Sequence, residues 1–290
     1  MADSHNAIRR RLLLGGTALC ASLALSRRAA SADFSRPIEI GIRPSLPTAM
    51  LMAGHQSLRL HFEQTFKRPV ALSTAPDFSQ FQRRVLRGDF DFIIIGPGPG
   101  WQAHLDRGYP IIAVSQQMVR VYILVAKDGP IKNIADLSGK TLATIGPLTV
   151  SSQIAQTILR EHKLQPGVDV QIQHMKNPFN VAQLVAQGDV AAASFPNISF
   201  PSLPAAIAGK LRILYEAEPI PGIFFMVRPA SDMPSPKAFQ AALFNFAKET
   251  PAGRAYIKDF SHEALTLPDL DALRVLDRFL PEIRQTMTKS

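Results

Sequence analysis

The sequence predicts a two-lobed α/β protein, each lobe a mostly parallel sheet flanked by helices, with a ligand cleft between the lobes. Three observations predict it. Short apolar strands alternate with helical patterns along most of the chain, as expected of βαβ units with right-handed crossovers. The alternation breaks after "VYILVAK" and restarts at "KTLATIG", so two similar units follow one another. Strand-rich passages near 118–127 and 212–224 bracket the second unit. They read as paired crossings between lobes, around which a cleft can close.

"IEIGI" (Ile38–Ile42) is the first strand, and Thr48 is placed to cap a helix running to about Phe66. "VALSTA" (Val70–Ala75) is a strand, followed by an amphipathic helix through Phe78, Phe81, Val85 and Leu86. "FDFIIIG" is a near-continuous apolar run, typical of a strand covered on both faces. It ends in Gly96-Pro97-Gly98-Pro99-Gly100 and Trp101, the only tryptophan, which reads as a rigid lip at a strand end. The prolines have no N–H, so two of these five residues cannot donate to a phosphate. "YPIIAVS" and "VYILVAK" are strands leading to the second unit. That unit runs strand "KTLATIG", helix Ser151 to about His162, strand "DVQIQHM", helix Asn177 to Gln187, strand "VAAASF". "LRILYE" and "GIFFMVR" lead out of it, and the chain from about Ser235 is helical.

Residues 1–32 read as an export signal. Arg9, Arg10 and Arg11 form a basic region, Leu12 to Leu25 an apolar one, and Ala30-Ser31-Ala32 a small-residue cleavage site. The apolar run is shorter than the about 20 residues a spanning helix takes. "RRRLLL" also resembles a twin-arginine signal; twin-arginine and general secretory export both remain open. Removing the signal takes away five basic residues, one acidic residue and the only cysteine, leaving a net charge of +5. The mature chain then has no disulfide, thiol nucleophile or thiolate metal site. Its charge suits a small anion or simply a soluble surface.

Other function classes find no support. His55, His61, His104, His162, His174 and His262 are scattered, without the H-E-x-x-H spacing of a metal site. No G-x-S-x-G elbow is present, and the Gly-Pro run is not a dinucleotide fingerprint. The basic residues are dispersed, which argues against nucleic acid. Neither a metal nor a cofactor is expected.

Five segments carry a family resemblance: "RPVALSTAPDFSQFQRRVLRGDFDFIIIGP", "IKNIADLSGKTLATIG", "GPLTVSSQIAQ", "NVAQLVAQGDVAAASF" and "EPIPGIFFMVRP". In order and spacing they resemble the phosphate/phosphite/phosphonate-binding periplasmic proteins of ABC transporters. The resemblance implies the type II periplasmic solute-binding fold, with lobe 1 at 33–120 and 218–290 and lobe 2 at 121–217. It implies a monomeric, non-enzymatic periplasmic protein that closes over a small solute, an oxyanion such as a phosphonate- or phosphite-like compound, and presents it to an inner-membrane permease. A periplasmic sensor or accessory protein, signalling to a membrane kinase or redox system, is the alternative use of the same clamshell.

The candidate site follows from "LTVSSQ". Thr149, Ser151 and Ser152 lie between a strand and a predicted helix, where hydroxyls cap the helix and free N–H groups with the helix dipole favour an anion. Plain capping is the competing reading. Thr149 and Ser151 fall at family hydroxyl positions; Val150 replaces another hydroxyl. Phe179 and Asn180 stand where the family often has a His-Asp pair, Gly100 beside Trp101 where it often has Tyr, and Ser45 where it has an early aromatic. Pro196, with Asn197 beside it, replaces a polar residue. Gly98 in the strand-end run completes the candidate set. Fewer donors imply a less hydrated ligand than the usual one, because stripping water from an oxyanion requires replacements. Phe179 and Trp101 suggest an apolar wall, with ordinary core packing as the alternative.

Overall fold

The computed structural model describes residues 36–175 and 178–289 of the 290-residue chain. The export signal expected at 1–32 lies outside the described residues, as does the expected helix start at Asn177.

The first four strands are β1 (Ile38–Ile42), β2 (Val70–Ser73), β3 (Phe92–Ile95) and β4 (Ile111–Ser115). Five more occupy the middle of the chain: β5 (Val121–Ala126), β6 (Lys140–Ile145), β7 (Val170–Met175), β8 (Ala192–Pro196) and β9 (Leu211–Glu216). Then follow β10 (Phe224–Val227) and β11 (Leu265–Thr266). They form two sheets, in the orders β11-β4-β10-β3-β1-β2 and β7-β6-β8-β5-β9. Both sheets are mixed. β1 pairs parallel with β2 and β3, and β6 with β7 and β8. The antiparallel pairings are those of β10 with β3 and β4 and of β11 with β4 in the first sheet, and those of β5 with β8 and β9 in the second. This is the two-lobed α/β architecture expected from the alternation of elements.

The sequence explains the centre of the first sheet. Phe92, Ile93, Ile94 and Ile95 are all buried, as are Phe224, Phe225, Met226 and Val227 opposite them. A strand with helices over both faces has no solvent side, so it reads as an unbroken apolar run. Burying each such side chain contributes about 1.5–3 kcal/mol.

Two chain crossings lie side by side between the sheets. Val119 and Ile220 form an antiparallel bridge with N–H···O distances of 2.9 Å in both directions. The N–H of Ser115 donates to the carbonyl of Ile223 at 2.9 Å. These are the paired passages expected near 118–127 and 212–224.

The structure departs from the sequence reading at three places that shape the cleft. The expected helix from Thr48 to Phe66 is broken into Thr48–Gly54 and Gln56–Phe66 at His55, whose backbone sits at φ −98°, ψ 4°. Pro47, not Thr48, is the cap residue, and no side chain bonds the first turn. The expected Gly-Pro lip is instead the first turn of a helix, Pro97–Arg107, with Gly96 as its cap. The first N–H groups of a helix have no acceptor within it, so prolines at the first and third positions cost it nothing there. The C-terminal helical region contains a 3-10 segment, Ala272–Phe279, before the α-helix Leu280–Lys289. Trp101 on the Pro97–Arg107 helix donates its Nε1–H to Asp277 of this segment at 2.7 Å.

Candidate functional site

A cavity of about 490 Å³ lies between the two sheets, at the carboxyl ends of their parallel strands. Ligands of open α/β folds sit at such strand ends. From the first sheet come Arg43, Pro44 and Ser45, just past β1, and Gly96 to Pro99, just past β3. From the second come Ile145 and Leu148 to Ser151, past β6, and Pro196, Ile198 and Ser199, past β8. The crossings add Gln117, Val119, Gly222 and Ile223.

The second-sheet wall is the start of the helix Val150–Glu161. Thr149 caps it, its Oγ1 accepting from the N–H of Ser152 at 3.3 Å. The N–H groups of Val150 and Ser151 precede the first intrahelical bond and point out of the helix end. Ser151 lines the cavity, is 1% exposed, and its hydroxyl has no hydrogen-bond partner among the described residues. The facing helix start, Pro97–Arg107, has one free N–H in its first three residues, that of Gly98, because Pro97 and Pro99 have none. Gly98 packs closely against the second sheet's helix: a Cβ there would stand 2.1 Å from Oε1 of Gln153 and 3.0 Å from Cδ1 of Ile283, so the Gln153 side chain would have to shift to admit one.

The first-sheet floor is different in kind. Arg43 follows β1 directly and lines the cavity. Among the described residues it has neither an ion pair nor a side-chain hydrogen bond. Burial pulls its pKa down to about 10, with the Tyr256 hydroxyl opposing the shift, so it stays charged at neutral pH. His55 and His262 line the same floor and are 2% and 3% exposed. Burial brings both to about 4, and the nearby Arg43 cation pushes the same way, so both are neutral at pH 7. The Nδ1–H of His55 donates to the carbonyl of Leu51 at 2.9 Å, made possible by the helix break at this residue. Both ring nitrogens of His262 are buried without a partner among the described residues. Its ring is fixed by stacking on Phe260, 6.0 Å between centroids, and by edge contact with Phe225. The turn that delivers it holds Ser261 and Glu263 at φ 53° and 59°, conformations costly for residues with a Cβ.

The remaining walls are apolar, with Phe78, Phe81, Ile145, Leu148, Val150 and Ile198 among them. The carboxylate of Asp259 is the only one among the lining residues, and it is exposed at the rim. Among the described residues no group of three or more His, Cys, Asp or Glu side chains is arranged to hold a metal. No helix among them is long and apolar enough to cross a membrane.

Of the residues singled out in the sequence, Ser45, Gly98, Thr149 and Ser151 line this cavity. The other five do not. Ser152 is fully buried, and its hydroxyl accepts from Nε2 of Gln156 at 3.2 Å. Trp101 is 3% exposed and is held by Asp277. Phe179, 42% exposed, and Asn180 sit on the helix Pro178–Gln187 away from the cavity. Asn197 lies between lining residues but turns its Oδ1 to the N–H of Arg120 at 2.9 Å. Sequence reasoning missed Arg43, His55 and His262. The first could have been found as a lone arginine directly after a buried strand; the two histidines are too far apart in the chain for spacing to join them.

Two lobes joined by paired crossings, with polar groups from both at the strand ends, define the class of type II binding proteins. The match to the family of periplasmic substrate-binding proteins of phosphonate ABC transporters covers residues 40–273, and the chain belongs to that family. It is a family of transport binding proteins, whose members are periplasmic, rather than of enzymes. Among solved structures, XAC2383 from Xanthomonas citri, bound to chloride ion, superposes with a TM-score of 0.76 at 17% identity, over 87% of this chain and 99% of that one. The phosphonate protein PhnD1 from Prochlorococcus marinus, in complex with methylphosphonate, gives 0.69 at 10% identity, over 87% and 98%. The periplasmic aliphatic sulphonate binding protein SsuA from Escherichia coli gives 0.55 at 19%, over 88% and 83%. No curated protein matches the chain by sequence.

Proposed function

We propose that the protein captures a small organic anion, phosphonate- or sulfonate-like, in the periplasm and delivers it to the permease of an ABC importer. The observation that carries this reading is the cavity between the sheets, with the helix start at Thr149–Ser151 on one wall and Arg43 on the other. A helix start favours negative charge through its free N–H groups and dipole. The bound species named for the similar structures, chloride, ATP and methylphosphonate, are anions as well.

In this reading the lobes are 33–120 with 218–290, and 121–217. They act as rigid bodies that close by bending at the crossings around Val119 and Ile220. The protein works as a monomer, exported by its N-terminal signal and cleaved near Ala32. Calorimetry with methylphosphonate, ethanesulfonate and phosphate tests the ligand class: saturable binding of at least one organic anion is expected, and none would overturn it. Small-angle scattering tests closure, with a smaller radius of gyration expected on saturation and an unchanged one counting against lobe movement.

A further inference from the structure

The geometry points to Arg43 as the principal anion seat of the cleft, with His262 beside it, built for a singly charged organic oxyanion carrying an apolar body. This rests on the reading of the cavity as a ligand site. It goes further by naming the residue that holds the charge and the charge it matches.

Arg43 is a half-buried cation on the cavity floor with no carboxylate answering it among the described residues. The other arginines that line protein surfaces are mostly paired, as in Arg84–Asp89, Arg160–Glu282 and Arg228–Asp91. A cation without a counter-charge destabilises the protein until an anion arrives. His262 adds a second demand. A neutral imidazole has one N–H donor and one bare nitrogen acceptor, and here both are buried and unmatched. Leaving such groups unsatisfied is costly, and a ligand oxyanion meets the donor.

The charge balance selects among oxyanions. The floor carries one positive charge, since both imidazoles are neutral at pH 7. One negative charge is matched by it; a second would be buried without compensation. Sulfonates and monoprotonated phosphonates share the required single charge. They differ in that the phosphonate hydroxyl can donate to a bare imidazole nitrogen and the sulfonate cannot. The apolar walls, Phe78, Phe81, Ile145, Leu148, Val150 and Ile198, have nothing to offer a hydrated inorganic ion. They suit the carbon skeleton of the same ligand.

The test uses the mature chain with five probes: methanesulfonate, butane-1-sulfonate, sulfate, phenylphosphonate and inorganic phosphate. Butane-1-sulfonate is expected to bind more tightly than methanesulfonate, by roughly fourfold for each methylene buried, and about 100-fold more tightly than sulfate. Phenylphosphonate is expected to gain affinity as pH is lowered through its second ionisation, and an affinity above that of butane-1-sulfonate in its singly charged form assigns the seat to phosphonates. Arg43→Met is expected to lose about 100-fold or more in affinity for the sulfonate, while the melting temperature of the unliganded protein stays level or rises. A structural arginine would instead lower that temperature and leave affinity alone, which overturns the assignment. So does sulfate or phosphate binding as tightly as butane-1-sulfonate, although the anion-receptor reading would survive. Failure of every probe to bind folded protein overturns both readings.

Discussion

The two walls of the cleft hold their polar groups in different ways. On the lobe 2 side, the helix Val150–Glu161 opens with Thr149, Val150, Ser151 and Ser152, and offers backbone N–H groups with a hydroxyl between them. On the lobe 1 side, the helix Pro97–Arg107 opens Pro-Gly-Pro and offers one N–H. In its place lobe 1 supplies the Arg43 guanidinium and two neutral imidazoles from segments far apart in sequence. One wall gives partial charges from backbone geometry; the other gives a whole charge from a side chain. Dipolar donors are neutral before the ligand arrives and carry little cost when the cleft is empty. A half-buried cation such as Arg43 is the reverse: its lost hydration weighs on the empty protein, and it contributes most when paired.

Charge reversal is the sharpest way to break the comparison. Arg43→Glu places a carboxylate on the floor of the cavity, and affinity for butane-1-sulfonate is expected to fall by more than about 1000-fold, below detection by calorimetry. Ser151→Ala, on the opposite wall, is expected to cost only about fivefold, the order of one neutral hydrogen bond. Comparable losses from the two variants would show that the walls share the charge equally.

Acid should sharpen the same contrast, because only the lobe 1 floor titrates between pH 4 and 6.5. His55 and His262 are held at about 4 by burial, against an ordinary value near 6.5. In that window the unfolded chain binds more protons than the folded one. Their contribution to stability is therefore complete above about pH 6.5 and is lost as pH falls toward 4. Besides burial, the Leu51 carbonyl favours the proton on His55, Arg43 disfavours it on both rings, and His55 disfavours it on His262; Tyr256 and Phe260 pack around them, and Asp259 stands at the rim. A bound anion favours the protonated rings. Affinity for butane-1-sulfonate, charged throughout, is expected to rise roughly threefold to tenfold from pH 7 to 5, and the anion is expected to blunt the acid-induced fall in melting temperature. A flat affinity profile would place the anion away from the imidazoles. His262→Gln should weaken the pH dependence if the ring is part of the floor.

Thr149 separates capping from binding within the lobe 2 wall. Its hydroxyl accepts from Ser152 N–H and has its single proton within reach of two carbonyls, Ile145 at 3.0 Å and Gly146 at 2.9 Å. Thr149→Ala is expected to destabilise by about 1 kcal/mol, as for other lost caps, and to reduce affinity less than Ser151→Ala does. Chemical denaturation of the free protein together with calorimetry distinguishes the two effects.

The lobe 2 wall was legible in the sequence because its chemistry is local. Thr149 and Ser151 are two residues apart, and the strand before them and helix after them both show in the hydrophobic pattern. The sheets were legible for the same reason, since each βαβ unit is a continuous stretch. The lobe 1 floor was not, because it is assembled across the fold. Arg43 comes from the end of β1, His55 from a helix break, and His262 from a turn after the helix Pro251–Asp259. Gly54, a poor helix former directly before His55, is the only local mark of the break, and the unbroken helix expected from Thr48 would have turned the ring elsewhere. Trp101 misled for the opposite reason: a rare residue beside a conspicuous Gly-Pro run looks like a cleft wall, yet its indole is spent on Asp277.

The smallest effect concerns that Gly-Pro run itself. Pro99 stands at the third position of its helix and lines the cavity, while its carbonyl accepts from Nε2 of Gln82 at 3.0 Å. Pro99→Ala keeps that carbonyl and adds an N–H at the helix start, where no intrahelical acceptor competes for it. The added donor makes the lobe 1 helix start more like its lobe 2 counterpart. Affinity for butane-1-sulfonate is expected to increase about twofold to threefold, with a loss of roughly 0.4–1 kcal/mol in stability from the freer unfolded chain. Sulfate should gain more than the sulfonate does, since it has more unmet oxygens to satisfy. A variant that loses stability and gains nothing for either anion would mean that the helix start points past the ligand. The Arg43 floor would then be the whole of the lobe 1 contribution.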